Sequence, residues 1–155
     1  MSSSQTHTRW SVTSPSFLVS AALASFMLFL AVRGLLAPAA AAHGFGLDLV
    51  DARDSVWLQV KGDRDLTLGL VMTAFLALRW RRALGVLLLA SIGAPALDCL
   101  LSLATPGHHT SFALSVHGGT AALVAVLGLV LVRRSAGSAA EESEMSSSTT
   151  ASAAR

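Results

Sequence analysis

The sequence contains two residues, Asp98 and His117, that could move protons inside stretches of otherwise apolar residues. Carboxylates and imidazoles are the usual acids and bases of enzymes, and an Asp–His pair can transfer a proton. Pro95 lies three residues before Asp98 and should kink a helix there, because proline cannot donate to the carbonyl of Ser91. Such a kink can open a polar pocket. The alternative is that both side chains only fix helix packing through ion pairs and hydrogen bonds.

A second group of ionisable residues begins the next apolar stretch towards the N-terminus, in the sequence VKGDRDLTLGL. On a helix, Lys61, Arg64 and Asp65 fall within one arc of about 140°. Lys61 and Asp65 are spaced i, i+4, which lets the ammonium meet the carboxylate. Asp63 points the opposite way, so we expect it to lie near the lipid headgroups. Gly69 shares the arc of Lys61 and should allow close approach of a neighbouring helix.

The composition indicates that lipid surrounds the elements that carry these residues. The chain has 155 residues, of which 53% are hydrophobic and 13% charged, whereas a soluble domain has roughly a quarter of its residues charged. Four segments approach the ~20 residues that span a bilayer: residues 17–36, 56–78, 83–103 and 113–132. The predicted fold is an all-α, four-helix transmembrane bundle over residues 17–134. A polar tail (1–16) precedes it, and a disordered polar tail (135–155) follows it.

The distribution of arginines predicts the orientation of this bundle. With four spans, the N-terminus, the second loop and the C-terminal tail share one side of the membrane. That side holds Arg9, Arg79, Arg81, Arg82, Arg133 and Arg134. Because cytoplasmic loops carry an excess of Lys and Arg, we expect a multi-pass protein of the cell membrane with both termini in the cytoplasm.

In this topology every predicted helix has an ionisable group in its outer half. These groups are Arg33 in the first helix, Lys61, Arg64 and Asp65 in the second, Asp98 in the third and His117 in the fourth. Ionisable groups in membrane spans are costly unless they pair or meet water, so they usually face the bundle interior. We therefore predict one pocket near the outer face. In it, Asp98 and His117 are candidate catalytic residues, and Lys61, Arg64, Asp65 and Arg33 are candidate binding residues.

Several other features are weaker signals. The small residues of LLAPAAAAHG are spaced like a signal-peptidase site, but the preceding apolar run is long for a signal peptide, so we expect the first helix to be retained. Cys99 is the only cysteine, which excludes a disulfide within the chain and a cysteine-based zinc site. His43, His108 and His109 match no specific metal-binding pattern. We predict no metal, no cofactor and no nucleic-acid partner.

The segments AAHGFG, VKGDRDLTLGL and LDCLLS, together with HGG, resemble a family of small four-helix membrane proteins of bacteria and fungi that is classified as a domain of unknown function. The resemblance covers about residues 18–134, and the Lys-Gly-x-Arg-Asp block is its most specific part. Asp63 departs from the usual apolar residue at x. The resemblance implies no known activity, and neither does a more distant similarity to DoxX-like membrane proteins. The matching positions are Gly44, Phe45, Gly46, Lys61, Gly62, Arg64, Asp65, Gly69, Asp98 and His117.

Two functions are compatible with this sequence. In the first, a polar pocket near the outer face binds a lipophilic small molecule or acts on it, with the proton transfer of an isomerase or cyclase. In the second, the protein is a non-catalytic accessory or scaffold subunit, and its buried charges only fix helix packing. The sequence leaves open whether the protein is an enzyme, and whether it assembles with itself or with another membrane protein.

Overall fold

A computed structural model of the chain describes residues 10–44, 49, 51–104, 111 and 114–153. Arg9, Phe45, Gly46, His108 and His109 lie outside the described residues. A short 3₁₀ turn covers Ala52–Asp54, and a π-helical turn covers Leu114–Gly118. In the described part of the chain the α-helices are α1 (Pro15–Leu36), α2 (Pro38–Gly44), α3 (Ser55–Ala77), α4 (Arg81–Ser91), α5 (Gly93–Ala104) and α6 (Gly119–Ala153). The described part of the chain contains no strand, so the prediction of an all-α fold is confirmed.

Helix α1 begins with a capping arrangement that the sequence SPSF favours. The Ser14 hydroxyl accepts a hydrogen bond from the backbone N–H of Phe17, and Pro15 occupies the first turn, where its missing N–H costs nothing. The Trp10 indole is buried and donates to the Ser16 hydroxyl at 3.1 Å. These contacts hold the residues before α1 against the end of the bundle.

Helices α1 and α3 pack antiparallel, and glycines set their distance. A Cβ atom on Gly62 would lie 3.1 Å from the backbone nitrogen of Leu35, and one on Gly69 would lie 2.8 Å from Cδ2 of Leu28. The close approach predicted at Gly69 is therefore confirmed. Because the hydrophobic effect does not drive helices together in lipid, close backbone contact of this kind is a main source of their association.

Helices α4 and α6 form a second antiparallel pair, and glycines again lie at their contact. A Cβ atom on Gly85 would lie 3.0 Å from the carbonyl oxygen of Gly128. The two pairs meet along a core that includes Leu23 and Met72 from the first pair and Leu88 and Leu131 from the second. The fold is thus two tight helix pairs joined by a looser contact between them.

Three segments of the described chain are long and apolar enough to cross a membrane, namely Pro15–Leu36, Arg81–Leu101 and Ser115–Gly137. They indicate a membrane protein. Helix α3 does not qualify, although its 23 residues measure about 35 Å, because Lys61, Asp63, Arg64 and Asp65 lower its hydropathy. The four membrane-crossing helices predicted from the sequence are therefore not confirmed, and a crossing by α3 stays a prediction.

The predicted third helix, residues 83–103, is broken in the structure. Helix α4 ends at Ser91 and α5 begins at Gly93, with Ile92 between them. Pro95 lies in the first turn of α5, where no N–H needs an intrahelical partner. The kink predicted at Pro95 is thus found as a helix break one turn before it.

The C-terminal tail differs from the prediction of disorder. Helix α6 continues without interruption to Ala153, well beyond the apolar segment that was expected to end near Val132. Ser is the commonest residue of the tail, but the tail also contains several Ala and Glu, which favour helix more strongly. Extending an existing helix also avoids the unfavourable nucleation step.

Candidate functional site

Lys61, Arg64 and Asp65, here called the α3 cluster, lie on one face of α3, as their spacing predicts. Lys61 Nζ donates to Asp65 Oδ2 at 2.7 Å, and only 7% of the Asp65 side chain is exposed. The Arg64 Nε atom lies 3.7 Å from Asp65 Oδ1. Asp63 is exposed, which agrees with its outward direction on the helix. Gly62, between these charged residues, packs against α1 and contributes no chemical group.

Asp98 connects the α3 cluster to the last helix. Its Oδ2 atom lies 3.7 Å from Arg64 Nη2 and 4.0 Å from His117 Nδ1. The side chains of Asp98 and His117 are 29% and 14% exposed. Both distances allow electrostatic attraction, but they exceed the length of a hydrogen bond. The structure therefore brings Arg64, Asp98 and His117 together from three separate segments, while their proposed catalytic and binding roles stay predictions.

Local irregularities in the backbone position Asp98 and His117. The break at Ile92 changes the path of the chain shortly before Asp98, and His117 lies within the π-helical turn. Single π turns occur often at functional sites, because the extra residue redirects nearby side chains. Thr120 is anchored by a 2.6 Å hydrogen bond from its hydroxyl to the Val116 carbonyl. The sequence signals the break through Pro95, but the π turn was not predicted.

A cavity of about 480 Å³ lies between the two helix pairs, next to these side chains. Most of its wall is apolar, including Phe26, Met27, Leu68, Val71 and Leu87. Met72 also lines it and lies seven residues beyond Asp65, which is about 10 Å along a helix. The cavity thus continues from the charged cluster into the apolar middle of the bundle. Its ionisable lining residues are Lys61, Arg64, Asp65, Asp98 and His117.

Three polar residues of this wall were not predicted, namely Thr67, Ser91 and Thr120. Thr67 follows Arg64 by three positions and Thr120 follows His117 by three, whereas Ser91 precedes Asp98 by seven. Residues at these spacings share a helix face. Helical periodicity could therefore have identified Thr67, which shares the unbroken helix α3 with Arg64, whereas the break at Ile92 separates Ser91 from Asp98.

Arg33 is not part of this cluster. It lines a separate, smaller cavity of about 210 Å³. One guanidinium nitrogen donates to the Ala40 carbonyl at 2.9 Å, and the group lies 5.8 Å from the centre of the Phe29 ring. The prediction that Arg33 belongs to the same pocket as Asp98 is therefore not supported, because α2 holds its side chain on the other side of Lys61.

The charges of the larger cavity balance within the site. Lys61 and Arg64 oppose Asp65 and Asp98, and His117 adds an imidazole that can gain or lose a proton. The described residues contain no group of three or more His, Cys, Asp or Glu that could hold a metal ion. Groups of these types can orient a polar substituent and exchange a proton, and an apolar wall of this kind is typical of small-molecule sites.

Comparison with protein families assigns the chain to one of them. Residues 24–131 match the family described as Domain of unknown function (DUF4267), so the chain belongs to this family. Comparisons with curated proteins and with solved structures gave no match. The match covers α1 from Ala24 and continues to Leu131 in α6, and so includes all the ionisable residues of both cavities.

Proposed function

We propose that this member of the DUF4267 family binds a lipophilic small molecule in the 480 Å³ cavity between its two helix pairs. The observation that carries the proposal is the composition of the wall, in which Arg64, Asp98 and His117 meet beside an apolar surface. Small-molecule sites measure about 300–1,000 Å³ and combine an apolar lining with few polar groups. This cavity has both properties.

The chemistry that best suits these groups is proton transfer of the kind used by isomerases and cyclases. Asp98 and His117 lie close enough to act on neighbouring atoms of one molecule. One group would take a proton from the bound molecule and the other would return a proton at a second atom, so the reaction consumes no co-reactant. Lys61, Arg64 and Asp65 would orient polar groups of the same molecule.

The location we propose is a cell membrane, with both termini in the cytoplasm. Two contacts support a common side for the basic residues. Arg79 donates to the Trp10 carbonyl at 3.0 Å, and Arg81 donates to the Ser135 hydroxyl at 3.1 Å. These contacts gather the start of α1, the turn before α4 and the middle of α6 at one end of the bundle. Arginines concentrated at one end favour the cytoplasmic side.

A second function deserves a test because Asp98 links separate parts of the fold. Its contacts to Arg64 and His117 join α3, α5 and the π turn, as expected for charges that only stabilise packing in an accessory or scaffold subunit. Such a protein would assemble with itself or with another membrane protein. The distant relationship to DoxX-like proteins also stays a prediction and supplies no chemistry for either function.

Filling the cavity distinguishes these functions. Ala94 lines the cavity, whereas Ala90 is exposed on the same broken helix. We would purify the wild type, Ala94→Phe and Ala90→Phe in detergent and identify the bound small molecules by extraction and mass spectrometry. We expect the wild type and Ala90→Phe to retain one lipophilic compound that Ala94→Phe loses. Small-molecule binding in the cavity would be contradicted if both variants retained the compound equally. It would also be contradicted if all three proteins co-purified with a protein partner and contained no bound compound.

A further inference from the structure

The smaller cavity shares a wall with the larger one. Phe26, Leu30, Lys61, Asp65 and Val116 line both cavities. The 2.7 Å ion pair between Lys61 and Asp65 therefore lies at the boundary between them. The smaller cavity is thus a direct neighbour of the larger one at this pair.

The two cavities differ in charge. The larger cavity is lined by two basic and two acidic side chains in addition to His117. The ionisable residues of the smaller cavity are Arg33, Lys61 and Asp65. Because Lys61 and Asp65 neutralise each other, Arg33 leaves the smaller cavity with one excess positive charge.

The contacts of Arg33 leave room for an anion. Among the described residues, no carboxylate forms an ion pair with Arg33. Its observed contacts are the neutral Ala40 carbonyl and the face of Phe29. A guanidinium has five donors, and a carboxylate or phosphate accepts them in a bidentate arrangement. A charge without a counter-ion among the described residues is costly beside an apolar cavity in a membrane, so an anion bound there would stabilise the folded protein.

We propose that the molecule bound by this protein is a single-chain amphiphile whose anionic head group, a carboxylate or a phosphate monoester, binds Arg33 in the smaller cavity. This inference rests on the proposed function, since the apolar chain would occupy the larger cavity. The head group and the Asp98–His117 pair then contact different parts of the molecule. Arg33 holds one end of it, and the proton-transfer pair faces its apolar body.

Three probes with the same hydrocarbon chain test the proposal: palmitate, hexadecyl phosphate and hexadecanol. Their dissociation constants would be measured with the full chain in detergent. We expect at least one of the two anions to bind the wild type about tenfold more tightly than the alcohol, which corresponds to about 1.4 kcal/mol. The anion with the lower dissociation constant identifies the head group as carboxylate or phosphate.

Substitution of Arg33 provides the decisive comparison. Arg33→Gln should remove the preference for the anion while leaving the affinity for hexadecanol unchanged, and Arg33→Lys should keep part of the preference. Arg53→Gln is the matched control, because Arg53 is exposed just before α3 and lines neither cavity. Equal affinities for anion and alcohol in the wild type, or a preference that survives in Arg33→Gln, would overturn the proposal.

The Ala94→Phe variant separates this proposal from the proposed function. If hexadecanol binds the wild type but not Ala94→Phe, and the anions show no advantage, the cavity binds lipophilic molecules and only the role of Arg33 is wrong. If none of the three probes binds the wild type, both proposals fail. Loss of all probe binding in Ala94→Phe together with an Arg33-dependent preference supports both.

Discussion

The carboxylate of Asp98 on α5 lies 3.7 Å from the guanidinium of Arg64 on α3. This contact joins α3 of the first helix pair to α5 at the polar end of the larger cavity. It differs from the Lys61–Asp65 pair on α3, which is shorter at 2.7 Å and formed by neighbours on one helix. The two acidic residues should therefore respond differently to substitution.

Asp65→Asn should destabilise the protein more than Asp98→Asn. Removing one member of a buried ion pair typically costs about 3–5 kcal/mol, and we expect a value at the low end because the Lys61 side chain is 26% exposed. Asp98 is 29% exposed and lies 3.7 Å and 4.0 Å from its two ion-pair partners, so its loss should cost less than the loss of Asp65. Thermal unfolding in detergent measures both effects.

The proposed role of Asp98 predicts that its substitution impairs function without impairing folding. Asp98→Asn and His117→Gln should accumulate to the wild-type level but fail to restore the phenotype of a deletion strain. If Asp98→Asn instead unfolds at a much lower temperature and is poorly expressed, the packing role is the correct one.

Gly62→Ala should weaken the packing of α1 against α3. The new methyl group would lie 3.1 Å from the Leu35 nitrogen and 3.2 Å from the Ala31 carbonyl oxygen, so the backbones must separate. Overpacking of this kind costs about 1–3 kcal/mol. Gly137→Ala is the control, since nothing lies within 4 Å of the added methyl group, and it should stabilise α6 by up to about 1 kcal/mol. Equal unfolding temperatures for the two variants would contradict this account.

Arg79 presents a test of backbone strain at the end of α3. Its φ angle is 60°, a left-handed conformation that costs a non-glycine residue about 1–2 kcal/mol. The side chain also donates to the Trp10 carbonyl and lies 4.8 Å from the centre of the Phe17 ring. Arg79→Ala and Arg79→Gly both lose these contacts, but only glycine relieves the strain. Arg79→Gly should therefore unfold at the higher temperature of the two, and the reverse order would exclude strain at this position.

The membrane topology can be tested with reporter fusions. Fusions after Arg82 and after Arg134 should both report the cytoplasm, and fusions near Asp51 and Gly107 should report the opposite compartment. This pattern requires α3 to cross the membrane. If α3 does not cross, the fusions near Asp51 and after Arg82 will report the same compartment. A mature N-terminus at His43 would show that the first helix is removed and would contradict the proposed topology.

Helical periodicity determined the parts of the site that lie on a single helix. It predicts the Lys61–Asp65 pair and the outward direction of Asp63, because the positions of side chains three or four residues apart follow from the helix alone. The interruption near Pro95 follows instead from the missing N–H of proline. The composition and distribution of apolar residues likewise determined that the fold is all-α and where its apolar segments lie. The continuation of α6 to Ala153 was missed, because the low apolar content of the tail says little about an already nucleated helix.

Only the tertiary structure decided which of these helix faces meet. The sequence grouped Arg33 with Asp98 by depth, whereas α2 and the Lys61 side chain separate Arg33 from that cluster. The placement of His117 beside Asp98 depends on the π turn, and the cavity depends on how the two helix pairs meet. The rotation and separation of packed helices are set by contacts on both partners at once, such as Gly85 against Gly128. The periodicity of one helix contains no information about its partner, so these relationships arise only in the assembled bundle.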